Sequence, residues 1–120
     1  MTLSLDHRQR LNLITVLGAY DVKGRELHAV WHLQDLLELD PEEKGSIDFH
    51  EEAAVNGQRF QRWDDTKIVA TRPFEVTEAD LNHLRQAIEN FPQFRGSRDR
   101  VWLEPLLAQL ANGAKPLSAA

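Results

Sequence analysis

Ile47-Asp48-Phe49-His50-Glu51-Glu52-Ala53-Ala54-Val55-Asn56-Gly57-Gln58-Arg59-Phe60-Gln61-Arg62-Trp63 decides the fold class, because here strand and helix signals compete. Asn56-Gly57 is the strongest two-residue hairpin signal, since both residues tolerate the left-handed backbone of a type I′ turn. Ile47, Phe49 and Val55 stand among polar residues before it, and Gln58 to Trp63 return after it as the antiparallel partner. Glu51-Glu52-Ala53-Ala54 would also suit a helix; the turn decides for the hairpin. Lys67 to Thr71 is a candidate third strand.

Helices are expected on both sides. Upstream, Asp40-Pro41-Glu42-Glu43 places Asp at an N-cap, Pro at the first helical position and Glu at the third, so a short helical turn begins here and Gly45 should end it. Further back, Ala29, Val30, Leu33, Leu36 and Leu37 share one arc of a helix over about 25–39, opposite His28, His32, Gln34 and Asp35. Gly24, in the turn Asp21-Val22-Lys23-Gly24, is available for a left-handed backbone. The first helix opens with the capping box of Asp6 and Gln9, and Leu11 to Tyr20 is apolar around most of its circumference. Downstream, Thr77 and Asp80 form a second capping box, flanked by Val76 and Leu81 as a hydrophobic staple; a helix over 78–91 follows, stopped by Pro92. Val101 to Leu110 forms a last helix, with Pro105 accommodated in its first turn and Asn112-Gly113 as its stop.

The sum is an α+β fold: an N-terminal helical hairpin, a small antiparallel β-hairpin or sheet, and two C-terminal helices. A length of 120 residues fits a single globular domain, expected over 1–113, with 114–120 as a flexible tail. With 42% hydrophobic and 28% charged residues the chain is apolar enough to fold unaided. It has no cysteine, so no disulfide or thiolate ligand contributes, and a reducing compartment, the cytoplasm, is expected. Neither a secretory leader nor an apolar run of membrane-spanning length is present, so no membrane association is expected.

The net charge of −5 is uneven: residues 1–52 carry 11 acids and 5 bases, residues 53–120 carry 8 and 9. An acidic balance disfavours non-specific binding to nucleic acid, which needs several bases near phosphates. Glu42, Glu43, Asp48, Glu51 and Glu52 cluster about the hairpin and, with Trp31 on the polar side of its helix, form the candidate protein-binding surface. The same acids also serve solubility and guard the edge of a strand. The alternative class is a nucleic-acid-binding regulator using Arg59, Arg62, Arg95, Arg98 and Arg100, with Phe60 and Trp63 as stacking groups, although alternation puts Phe60 with Arg62 and Arg59 with Trp63 on opposite faces. His28 and His32 stand four apart with Asp35 three further on, a spacing that can share a zinc ion; a zinc-protease motif would need glutamate where Ala29 stands, and no metal or other cofactor is assigned. The serines lack nucleophile-elbow glycines and the glycines form no phosphate-binding cluster, so no enzymatic activity is expected. An uncovered apolar stripe on a helical hairpin favours a homodimer.

Leu11-Asn12-Leu13-Ile14, Val30-Trp31-His32-Leu33-Gln34-Asp35-Leu36, the acidic turn before Ile47-Asp48-Phe49, the hairpin ending at Trp63-Asp64, and Phe74-Glu75-Val76-Thr77-Glu78-Ala79-Asp80 follow in an order that resembles small uncharacterised proteins of bacteriophage and prophage genomes. The resemblance spans most of the chain. It implies no catalytic residue, and suggests an accessory protein that acts on a host or phage protein by contact, as an inhibitor or modulator.

Overall fold

In the computed structural model, which describes residues 1–68, 71–92, 94 and 96–114 (the last three as backbone only), five helices pack with two separate two-stranded antiparallel sheets, an α+β fold. The order is β1 (Thr2–Leu5), α1 (His7–Gly18), α2 (Gly24–Leu37), α3 (Pro41–Ser46), β2 (His50–Ala53), β3 (Arg59–Arg62), a 3₁₀ turn (Asp65–Lys67), β4 (Arg72–Glu75), α4 (Glu78–Asn90) and α5 (Gly96–Ala114). No helix among the described residues is long and apolar enough to cross a membrane.

Local chemistry places the helix starts. Asp6 with Gln9, Asp40 with Glu43, and Thr77 with Asp80 each close a reciprocal capping box, so two otherwise orphaned amides are satisfied at each end. Gly24 differs from the expected left-handed turn: it is the first residue of α2, which starts without a side-chain cap. Gly45 does not end α3. The chain turns out three residues later, where Phe49 N–H donates to Lys44 O (2.9 Å) and Asp48 N–H to Gly45 O (3.3 Å), with Asp48 left-handed at φ 54°. This is the Schellman arrangement with Asp in the position glycine usually takes, tolerated because a short polar side chain suffers least there.

α5 is longer than its apolar segment suggested. Pro105 sits inside it rather than in its first turn, on the exposed side, where water can serve the Val101 carbonyl that loses its helical donor. The helix also runs through Asn112-Gly113 to Ala114, since these residues lower helix propensity without forbidding a helix. Of the expected tail, 114–120, Ala114 is the last residue of α5 and 115–120 lie outside the described residues.

The first sheet is the element that sequence patterning did not supply. β1 pairs with β4 in the register Leu3↔Phe74 and Leu5↔Arg72, and Val76 N–H donates to Met1 O at 2.9 Å. Leu3, Leu5 and Phe74 face inward and join Leu13, Leu17, Leu33, Leu84 and Leu106 in the main core. The third strand expected at Lys67 to Thr71 is replaced by the 3₁₀ turn, which Asp64 caps by accepting from Thr66 N–H (3.0 Å) and Thr66 Oγ1 (2.6 Å). Val69 and Ala70 lie outside the described residues, and the strand that follows pairs with β1, not with the hairpin. The outer edge of β1 is closed by a side chain of α5: Gln109 accepts from Ser4 N–H and donates to Ser4 O, both at 2.8 Å.

Beside the main core a smaller one forms from Leu11, Leu39 and Ile47, against which Phe49, Trp63 and Ile68 pack. Between the two stands Arg10, fully buried. Its Nε donates to Leu37 O at 3.0 Å and its Nη2 to Glu38 O at 2.8 Å, so a cation closes the carbonyl end of α2. Both Nη atoms also donate to the Glu43 carboxylate, and the guanidinium lies 5.0 Å from the Phe74 ring centre. His7 and Arg72 approach the same carboxylate at 3.3 and 3.5 Å. The hydrogen bond from Arg10 is the main reason that the Glu43 carboxyl titrates at about 2, below its ordinary 4.5; partial burial opposes the shift without cancelling it.

A depressed folded-state pKa contributes stability that is present above the unfolded value and is lost as pH falls through the folded one. Unfolding free energy should therefore fall between pH 4.5 and about 2 in the native chain, and change less there in Glu43→Gln. At neutral pH that variant should lose about 2 kcal/mol, because it leaves a buried guanidinium without its counter-charge. Urea unfolding across this pH range checks both.

Candidate functional site

The hairpin forms where it was expected, with its turn closed differently. Strands β2 and β3 pair in the register His50↔Arg62, Glu51↔Gln61, Glu52↔Phe60 and Ala53↔Arg59. Ala54 N–H donates to Gln58 O (2.7 Å) and Gly57 N–H to Ala54 O (3.0 Å), so the loop holds three residues, Val55, Asn56 and Gly57. Gly57 alone in this loop takes a positive φ, 83°, which is the type I turn plus left-handed residue of a three-residue hairpin and not the two-residue type I′ turn.

The ribbon stands away from both cores. All residues of β2 and β3 are exposed, and so are Val55 at the tip and, at 44%, Phe60. Its root is fixed: Phe49 and Trp63 stack at 6.5 Å and 14°, Ile47 beneath them is fully buried, and Asp64 N–H donates to Ile47 O at 2.8 Å. Among the described residues no third strand pairs with either outer edge. A two-stranded ribbon is marginal by itself, so this root holds it in place.

Of the residues expected to face a protein partner, Trp31, Glu42, Asp48, Glu51 and Glu52 are exposed, whereas Glu43 turns inward to Arg10. The exposed acids around the ribbon are met by bases. Asp48 pairs with Lys67 at 2.5 Å, Glu51 with Arg59 at 3.3 Å, and Glu52 with Arg62 at 3.5 Å and His50 at 2.8 Å. Hydrogen bonds from its two ring nitrogens to Asp48 O and to Glu52 raise the His50 pKa, while the bond from His50 lowers that of Glu52. One face of the ribbon thus carries His50, Glu52, Phe60 and Arg62, with the Arg62 guanidinium 5.9 Å from the Phe60 ring centre; the other carries Glu51 and Arg59.

The arginines of the alternative surface are not gathered. Arg59 and Arg62 belong to the ribbon and its acids, Arg98 and Arg100 to the first turns of α5, with Arg100 paired to Glu104, and Arg95 lies outside the described residues. His28, His32 and Asp35 are exposed on α2, and His28 makes an edge contact to Trp31 at 5.2 Å. Among the described residues no group of three His, Asp or Glu is placed to hold a metal ion. The three tryptophans divide: Trp102 is buried, Trp63 is half-buried at the ribbon root, and Trp31 is 48% exposed.

Grooves also lie away from the ribbon. A polar one of about 570 Å³ runs between the α1–α2 turn and α4, where Tyr20 Oη donates to Gln86 at 2.5 Å; burial, then Glu26, raises the phenol's pKa and keeps it a neutral donor. A cleft of about 270 Å³ is walled by Phe91, Phe94 and Trp102. Sequence reasoning missed Arg10 and, beyond its place in the capping box, the burial of Gln9. Both are buried in α1, and their signal is position: Arg10 is three before Leu13 and seven before Leu17, on an inward face where an unpaired charge would not persist. No family model, curated protein or solved structure matches the chain.

The left-handed residue at the ribbon tip should be sensitive to a side chain although nothing stands near it. A Cβ at Gly57 meets no atom within 4 Å, so Gly57→Ala should cost only the backbone penalty, about 1 kcal/mol. Faster amide exchange at Ala54 and along β2 and β3, with α1 and α4 unchanged, would show it.

Proposed function

We propose that this protein is a non-enzymatic binding module that recognises another protein through the β2–β3 ribbon and the acids at its root. The observation that carries this is the ribbon itself: a hairpin anchored at one end by packed aromatics, exposed on both faces, with both edges free of a neighbouring strand among the described residues. Contrast with β1 supports it, since there the open edge is satisfied by Gln109. Exposed strand edges are templates for pairing with another chain, and proteins that do not use them usually cover or shorten them.

The chemistry of the ribbon suits a protein partner. Phe60 and Val55 offer apolar anchors, and the alternating acids and bases offer charge pairs that orient an encounter more than they tighten it. Glu42 and Trp31 are further exposed groups for the same class of contact. An accessory role, inhibiting or modulating a host or phage protein, is the form that the resemblance to phage proteins suggests.

A tagged pull-down from host lysate, read by mass spectrometry, tests this. One protein should be retained by the native chain and lost, at least about tenfold, by a folded variant carrying Val55→Asp, Phe60→Ser, Glu51→Lys and Glu52→Lys. Capture that is indifferent to all four substitutions would remove the ribbon from the contact.

A further inference from the structure

We infer that the outward face of α5 is the contact surface for a second copy of this chain, arranged as an antiparallel helix pair about a two-fold axis. The inward face of α5 is spent on the core: Trp102, Leu106 and Leu110 are buried. At 100° per residue the opposite side carries Ser97, Val101, Glu104, Ala108 and Ala111, flanked by Arg100, Leu107 and Pro105, all exposed. This is an apolar composition for a solvent face. Val101 is 65% and Leu107 45% exposed, and a shallow groove of about 480 Å³ runs along Ser97, Val101, Pro105 and Ala108.

Charge identifies the occupant. The two charged residues of this face, Arg100 and Glu104, are of opposite sign and one turn apart, and they pair with each other within the chain. An antiparallel second copy centred at the level of residue 102 sets Arg100 against Glu104 of that copy, and Glu104 against its Arg100. The same operation sets the two Val101 side chains about 3 Å apart along the helix axis, on either side of the centre. It also places Gly96 and Ser97 opposite Ala108 and Leu107, so each facing pair includes a small residue where the two backbones approach. Such self-complementarity is what an isologous interface requires. One helix face of this length falls short of the roughly 1,200 Å² of a standard interface, so the dimer is weak and reversible, with Kd on the order of 10–100 μM. The β2–β3 ribbon belongs to other elements and takes no part in this contact.

Sedimentation equilibrium of the full chain from about 5 to about 500 μM tests the inference. The native chain should pass from monomer to dimer across this range. Val101→Glu should weaken association at least about tenfold without changing the circular dichroism spectrum. Arg100→Glu and Glu104→Arg should each weaken it, and the double exchange Arg100→Glu with Glu104→Arg should restore it to within about threefold, because the swapped charges again face opposite signs. A native chain monomeric at every concentration would overturn the inference. So would a dimer indifferent to Val101→Glu, or a double exchange no better than the single ones.

Discussion

The structure depends on a buried guanidinium. Arg10 lies at 0% exposure between two apolar cores, and four of its five polar hydrogens are matched by acceptors from other segments: the closing carbonyls of α2, Leu37 and Glu38, and the Glu43 carboxylate of α3. A charge so placed is tolerated only when it has a counter-charge and hydrogen-bond acceptors, because its desolvation otherwise exceeds anything its packing returns. Its partners must therefore all be in position together, which fixes where α2 ends, where α3 begins and how both lie on α1. The Phe74 ring, approached by Arg10 at 5.0 Å and Arg72 at 5.3 Å, extends the same constraint to β4.

From this junction the molecule divides into parts with different tasks. The larger core, with β1 and β4 laid across the helices, is closed on its open edge by Gln109 and joined to α5 again by Gln9, whose Nε2 donates to Trp102 O at 3.1 Å. The smaller core holds the stems of the β2–β3 ribbon and nothing beyond them. Packing thus ends at Phe49 and Trp63, and what projects further is held by ladder hydrogen bonds and by solvent-exposed ion pairs, which add little to stability. An element supported in this way is suited to contact rather than to stability.

The ion pairs of the ribbon qualify the acidic character of the chain's first half. Counted along the sequence, residues 1–52 are acidic; folded, Glu51 and Glu52 face Arg59 and Arg62 from the returning strand, and Asp48 faces Lys67. Chain reversal at Gly57 brings an acidic strand against a basic one. The surface that results is patterned in sign, and its recognition properties follow from that pattern more than from net charge.

Local chemistry was legible in the chain: the caps at Asp6, Asp40 and Thr77, the reversal at Asn56-Gly57, the inward stripe of α4 and the α+β class all depend on residues within a few positions of each other. Features that join distant segments were not. Thr2 to Leu5 alternates as a strand should, yet four residues become a strand only when β4 offers them a ladder some 70 positions on. Arg10 reads as one more charge on a helix until α2 and α3 surround it, and Glu43 reads as one more surface acid until Arg10 draws it in. The sequence by itself determined where the three capped helices start and where the ribbon reverses, because caps and turns are satisfied by near neighbours. Which polar groups are buried, which edges are covered and which face of α5 is left bare were decided by tertiary packing alone, since burial belongs to the assembled neighbours and not to the residue.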